Sequence, residues 1–198
     1  MDSNAVYQVI LDQREELSSL VEEGFVQRNE VNHIALDDKL AQVVIGVRRS
    51  GKSTLCHMAL RNKGVTYGYV NFDDDRFAGL EVADLNIVLE SIYRVYGNDV
   101  RYLFFDEIQN VDGWHLFVNR LLRQGLHLVI TGSNAKLLSS ELSTHLTGRY
   151  KEIRLYPFSF RDFCLSRNLE TAVPTTKNVA TLKNALDQFL LEGGFPEM

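Results

Sequence analysis

Apolar residues recur along this chain with two periods. From Ala5 to Glu23 the residues Val6, Val9, Ile10, Leu17, Leu20 and Val21 fall at roughly helical spacing, with Arg and Glu on the other face and Gly24 as the stop. Beyond this helix come short apolar runs that read as buried strands: Ala41–Ile45, Val65–Phe72, Arg101–Phe105, His127–Ile130 and Lys151–Leu155. Helical stretches separate most of them. One follows the first run over Thr54–Leu60, and another carries Val82, Leu85, Val88, Leu89, Ile92 and Tyr96 before the Gly97-Asn98-Asp99 stop. A third presents Trp114, Phe117, Val118, Leu121 and Leu122 ahead of Gly125, and a short helix is expected around Leu137–His145. Strands alternating with helices predict an α/β fold, a parallel sheet of five strands covered on both faces.

Past Pro157 the pattern changes. Ser159-x-x-Asp162 predicts a capping box opening a helix through Phe160, Phe163 and Leu165. A further helical face with Val179, Leu182, Leu186 and Leu190 ends at Gly193-Gly194-Phe195-Pro196. The expected organisation is an N-terminal helix in 1–30, a core in 31–158, and the start of a helical segment, cut short, in 159–198.

Composition narrows the class without naming a chemistry. The chain has 198 residues, 45% hydrophobic and 24% charged, the balance of an ordinary globular protein. Its formal net charge of −5 does not support a nucleic-acid partner, although a local basic patch stays open. No apolar run approaches a membrane span, so no membrane partner is expected. Cys56 and Cys164 are the two cysteines, too few for a disulfide framework, and a reducing cytoplasm is the expected location.

The chemistry is concentrated at the ends of the strands. Gly46-Val47-Arg48-Arg49-Ser50-Gly51-Lys52-Ser53-Thr54 matches the phosphate-binding pattern G-x-x-x-x-G-K-[ST], with a strand before it and a helix after it. Gly46 and Gly51 let backbone N–H groups approach an anion where a Cβ would obstruct, and the helix directs its positive end there. Lys52 supplies a mobile charge for the outer phosphates, and the Ser53 hydroxyl is placed to ligate Mg²⁺. Arg48 and Arg49 either add charge around the anion or project into solvent. A nucleoside triphosphate is the expected occupant.

Tyr102-Leu103-Phe104-Phe105-Asp106-Glu107 has the form of a Walker B strand. Asp106 would hold the Mg²⁺ through its waters, and Glu107 would orient and polarise the attacking water. That second carboxylate favours hydrolysis over binding alone. At the next strand end, Ser133 and Asn134 admit two readings, turn chemistry or contact with the γ-phosphate, with Asn134 slightly preferred for contact. Arg149 is either a solvated surface residue or a group serving the γ-phosphate of a neighbouring subunit, which would make the protein a homo-oligomer. The acidic run Asp73–Asp75 reads as a solvated loop rather than a second metal site.

Gly46–Thr54, Asp106-Glu107 and Ser133-Asn134 together resemble an AAA+-type P-loop ATPase. Asn71-Phe72-Asp73-Asp74, Phe105–Gln109, Thr131–Asn134, Leu146–Arg149, Leu155–Phe160 and Gly193–Pro196 narrow this further. They resemble a large, poorly characterised prokaryotic family of AAA-type ATP-binding proteins, over nearly the whole chain and in order. The resemblance implies a three-layer P-loop NTPase fold with an extra strand, here Tyr67–Phe72, between the phosphate-loop and Walker B strands. It implies hydrolysis of Mg·ATP to ADP, with ATP and Mg²⁺ bound, and makes Gly194 and Pro196 candidates for adenine contact. Longer members continue into a helical or winged-helix segment and a restriction-endonuclease-like domain. A nucleotide-gated signalling switch and a DNA-acting motor are the alternative readings.

Overall fold

The computed structural model describes residues 1–22, 26–133, 146, 148–169, 171 and 175–196. The elements are α1 (Ser3–Glu22), β1 (Ala41–Gly46), α2 (Lys52–Lys63), β2 (Tyr67–Asn71), α3 (Leu85–Tyr96), β3 (Tyr102–Asp106), α4 (Trp114–Arg123), β4 (His127–Ser133), β5 (Tyr150–Leu155), α5 (Phe160–Ser166) and α6 (Thr176–Glu192). Short 3-10 turns fill Asn29–His33, Asp75–Phe77, Val82–Asp84 and Ile108–Asn110. Gly24 and the expected helix around Leu137–His145 lie outside the described residues.

The strands form one five-stranded sheet in the order β2-β3-β4-β1-β5, and every pairing is parallel. Strand alternation sorts the core into two layers. Val43, Ile45, Leu103, Phe105, Leu128 and Ile130 point into a cluster shared with α1, α3 and α4. Val44, Phe104, Val129, Ile153 and Leu155 point to the other face, against Leu55, Cys56 and Leu60 of α2. The fold is therefore a three-layer α/β sandwich, as the pattern of short buried strands predicts. Strands buried on both faces carry apolar residues without polar alternation, which is why β1 is buried along its whole length.

Helix α1 is part of this core. Val6, Val9 and Ile10 are buried against α3 and β2. Its Gln13 also completes the outer edge of the sheet: Nε2 donates to Asn71 O at 3.0 Å, and Oε1 accepts from Asn71 N–H at 2.9 Å. One side chain thus satisfies both backbone groups of an edge residue that has no strand on its outer side.

The boundaries differ from expectation in one informative place. β4 continues through Thr131, Gly132 and Ser133 because these pair in register with Val44, Ile45 and Gly46. Thr-Gly-Ser reads locally as a turn, and the β1 ladder overrides that preference. Cys56 and Cys164 are both buried and free, and burial raises both thiols above the usual range.

Candidate nucleotide site

Strand order decides which chemistry meets. β4 lies between β1 and β3, so the loop leaving Gly46 and the carboxylates ending β3 face each other across β4 at the carboxyl edge. That edge is where open parallel sheets bind ligands.

The loop is shaped by close packing and by positive φ. A Cβ on Gly46 would run into the Leu155 carbonyl on β5 and come within 3.0 Å of Ser50 Oγ, so only glycine fits. Arg49 and Gly51 take φ of 65° and 86°, and Gly51 caps α2 in this left-handed conformation. The Ser50 Oγ is buried and has no hydrogen-bond partner among the described residues. An orphaned hydroxyl inside a glycine-lined loop at a helix N-terminus fits a phosphate-sized anion. Lys52, 6% exposed, donates from Nζ to Val47 O at 3.1 Å and lies 3.9 Å from Glu107 Oε1.

The carboxylates differ in surroundings. Asp106 is 6% exposed. Burial raises its pKa above the usual carboxylate range; the Thr131 hydroxyl, which donates to it, and the nearby Ser53 hydroxyl oppose that rise, Glu107 adds to it, and Lys52 opposes it. The Ser53 hydroxyl thus lies beside the Asp106 carboxylate, two oxygen groups of the kind a Mg²⁺ ion takes together with waters. Among the described residues no group of three or more His, Cys, Asp or Glu is placed to hold a metal ion. Glu107 has φ of 54°, and its carboxylate accepts from Gln109 Nε2.

Thr131, present in the sequence pattern but given no role there, touches both carboxylate residues. Its hydroxyl accepts from Glu107 N–H at 3.2 Å and donates to Asp106 Oδ1. It is fully buried, so one oxygen ties the left-handed Glu107 backbone to the Asp106 side chain. The signal in the sequence was a threonine one residue past an apolar run, which turn chemistry masked.

The structure brings Gly46, Ser50, Gly51, Lys52, Ser53, Asp106 and Glu107 to one edge, with Thr54 in the first turn of α2 and Ser133 in register with Gly46. Arg48 projects outward, its guanidinium 84% exposed and 3.4 Å from Asp73; Arg49 is also exposed. Asn134 lies outside the described residues. Arg149 stands at the opposite end of the sheet, exposed, its carbonyl accepting from Ala41 N–H at 3.0 Å where β1 begins. It does not join this chain's own cluster. Pro196 approaches the loop, its Cγ 3.6 Å from where a Cβ on Gly51 would lie. Within the acidic run, Asp74 is held by Arg76 and Gln13, and the Arg76 hydrogen bond draws its carboxyl down to about 2.

Comparison with known proteins gives the family and the fold. A family model described as AAA domain matches residues 38–164, and the chain belongs to that family. Its sequence is 37% identical over 160 residues to the uncharacterized protein MJ1544 of Methanocaldococcus jannaschii, covering 79% of this chain and 36% of that one. It is 36% identical over 169 residues to an uncharacterized protein of Haemophilus influenzae, covering 82% and 41%. The chain thus spans about two fifths of the length of these relatives. Among solved structures, the Walker-type ATPase PABY2304 of Pyrococcus abyssi superposes with TM-score 0.54 at 16% identity, covering 88% of this chain and 65% of that one. The S. cerevisiae Hsp104–ADP complex gives TM-score 0.52 at 17% identity, covering 71% and 28%. These likenesses establish the P-loop NTPase fold.

Proposed function

We propose that this AAA-domain protein binds ATP at the Gly46–Thr54 loop and hydrolyses it to ADP and phosphate. The observation that carries the reading is the meeting of Lys52, Ser53, Asp106 and Glu107 across β4, with an unpartnered Ser50 hydroxyl inside the loop.

The division of labour follows from surroundings. Lys52 swings from Val47 O to the outer phosphates and neutralises charge there. Mg²⁺, when bound, would neutralise phosphate charge and steady the transferring group. Ser53 and Asp106 are the residues to hold it, and a cation beside Asp106 offsets the cost of burying that carboxylate. Glu107, at the end of β3 and only half-buried, orients the attacking water and accepts its proton. Thr131 fixes the relative placement of these two carboxylates. Arg149 reaches a phosphate only across a subunit boundary, so its part requires a homo-oligomer. The matched part fills 36% and 41% of the two relatives, which leaves room for the output domain the resemblance implies in longer members. A cytoplasmic location accords with the free buried thiols.

Differential scanning with Mg·ATP tests binding. At a hundredfold excess over Kd the ligand adds about 2.7 kcal/mol, a rise in Tm of about 5–10 °C. Lys52→Ala is expected to abolish the rise. Glu107→Gln is expected to keep it while phosphate release falls about a hundredfold or more. Wild-type turnover in Glu107→Gln would remove Glu107 from its role, and a Tm insensitive to Mg·ATP would overturn the function.

A further inference from the structure

Arg28 lies in the connection between α1 and β1, outside every motif, yet it is 5% exposed. Its guanidinium collects groups from segments distant in sequence. Nη1 donates to the Ser50 carbonyl of the phosphate loop at 3.1 Å, and Nη2 donates to the Tyr156 carbonyl, just beyond β5, at 3.0 Å. Nη2 also meets Glu30 at 3.2 Å and lies 3.9 Å from Asp162, while the guanidinium carbon sits 5.2 Å from the centre of the Phe158 ring. Asp162 is itself the carboxylate that completes the capping box opening α5, accepting from Ser159 N–H at 2.9 Å. Phe158 N–H in turn donates to Gly194 O, and a Cβ on Gly194 would run into the Phe158 carbonyl.

We infer that Arg28 is a positioning residue that sets the Ser50–Gly51 peptide of the phosphate loop and couples the loop to the exit segment 156–162. The inference rests on the nucleotide function proposed above. A trans peptide is planar, so a carbonyl held by Arg28 directs the N–H of Gly51 to the opposite side. Lysine cannot replace the arginine here, because only a planar fork donates to two fixed carbonyls at once while facing two carboxylates and an aromatic ring. Whatever shifts the Ser50 carbonyl therefore moves the group that also holds Tyr156 O and the α5 cap. The Gly193–Pro196 turn is drawn into the same unit through Phe158 and through the approach of Pro196 to Gly51.

The test compares the full chain with Arg28→Lys, Arg28→Met and Phe158→Leu. Affinity is measured with a fluorescent ATP analogue and Mg²⁺, and backbone hydrogen exchange with and without Mg and a non-hydrolysable ATP analogue. Arg28→Lys is expected to weaken binding about tenfold, the scale of one charge-assisted hydrogen bond, and Phe158→Leu to weaken it less. In the unaltered chain nucleotide slows exchange in both 46–53 and 156–163; in Arg28→Lys the slowing at 46–53 persists and that at 156–163 is lost. A purely structural role would speed exchange at 156–163 equally with and without nucleotide, and that result overturns the inference. Unchanged affinity in Arg28→Lys also overturns it. If Arg28→Met fails to fold, the other two variants still decide. No binding by the unaltered chain overturns the nucleotide function and this inference together; equal binding by the unaltered chain and Arg28→Lys overturns this inference alone.

Discussion

The loop edge of the sheet and helix α6 invert each other's placement of polar and apolar groups. Around the loop and along the helix that leaves it, Ser50, Lys52, His57, Asp106 and Thr131 are all buried although each is polar or ionisable. On α6 the apolar residues Val179 and Leu186 are each 40% exposed, Leu190 72% and Leu191 88%. Periodicity alone does not foresee the contrast, because α3 has a similar apolar stripe and buries Leu85, Val88 and Ile92 completely. The repeat decides that a helix forms; whether its face is covered depends on what the topology brings against it. α6 meets α5 through Phe189, whose ring lies 5.7 Å from Phe160 and 5.3 Å from Phe163, and is joined to Arg167 through Gln188 and Glu192. Polar burial at the loop costs stability and serves a ligand; apolar exposure on α6 costs this fold little.

The largest expected break in that contrast comes from His57. It lies on α2 with its ring 4.7 Å from Tyr69 and 4.7 Å from Phe104, and Nδ1 is 3.1 Å from Tyr67 Oη. Burial, helped by nearby Arg61, lowers its pKa to about 3. The folded protein keeps the ring neutral while the unfolded chain protonates it near 6.5, so stability falls as pH drops from 6.5 towards 3. His57→Phe should flatten that limb by up to about 1.4 kcal/mol per pH unit. Denaturant titrations from pH 7 to pH 4 check this; parallel profiles for the variant and wild type would place the acid sensitivity elsewhere.

How much of this was legible in the residues follows the range of the interactions. The loop and Walker B strand are local strings, and the alternation of buried runs fixed which strands would carry them to one edge. Thr131 and Gln13 work through sheet register, which a linear string does not show. Arg28 is silent in the sequence because its carbonyl partners lie 22 and 128 residues away. Arg149 was legible in this respect: it precedes β5, and in an all-parallel sheet the start of a strand lies at the end away from the loop, where the structure has it.

Asp106 sharpens the contrast by reversing the usual sign of a mutation. Its pKa is raised by burial, so between the unfolded value near 3.8 and the folded value the native state holds the proton more tightly, and stability falls as pH rises through that window. Asp106→Asn removes the buried charge, and its amide can still accept from Thr131 and donate to Ser53 Oγ. Without nucleotide its Tm at pH 8 should exceed that of wild type, with the gain shrinking as pH falls towards 4. The Mg·ATP-dependent rise in Tm should be lost, the exchange of stability for function expected at a site. A variant less stable than wild type at every pH would show that the carboxylate is held for structure.

The smallest effect is expected on α6, and it bears most directly on the contrast. Replacing both Leu190 and Leu191 with Ser removes apolar groups that are 72% and 88% exposed, so little burial is lost. The change should stay within about 0.5 kcal/mol, a shift in Tm of about 2 °C or less. Ile92→Ala on α3, fully buried, should by comparison cost about 2–5 kcal/mol. Measuring both at several protein concentrations separates exposure from self-association, because a dimer held by the α6 face would lose stability on dilution. A large, concentration-dependent loss for the double Ser variant would mean that a second copy covers this face, and the two regions would then differ only in which chain does the burying.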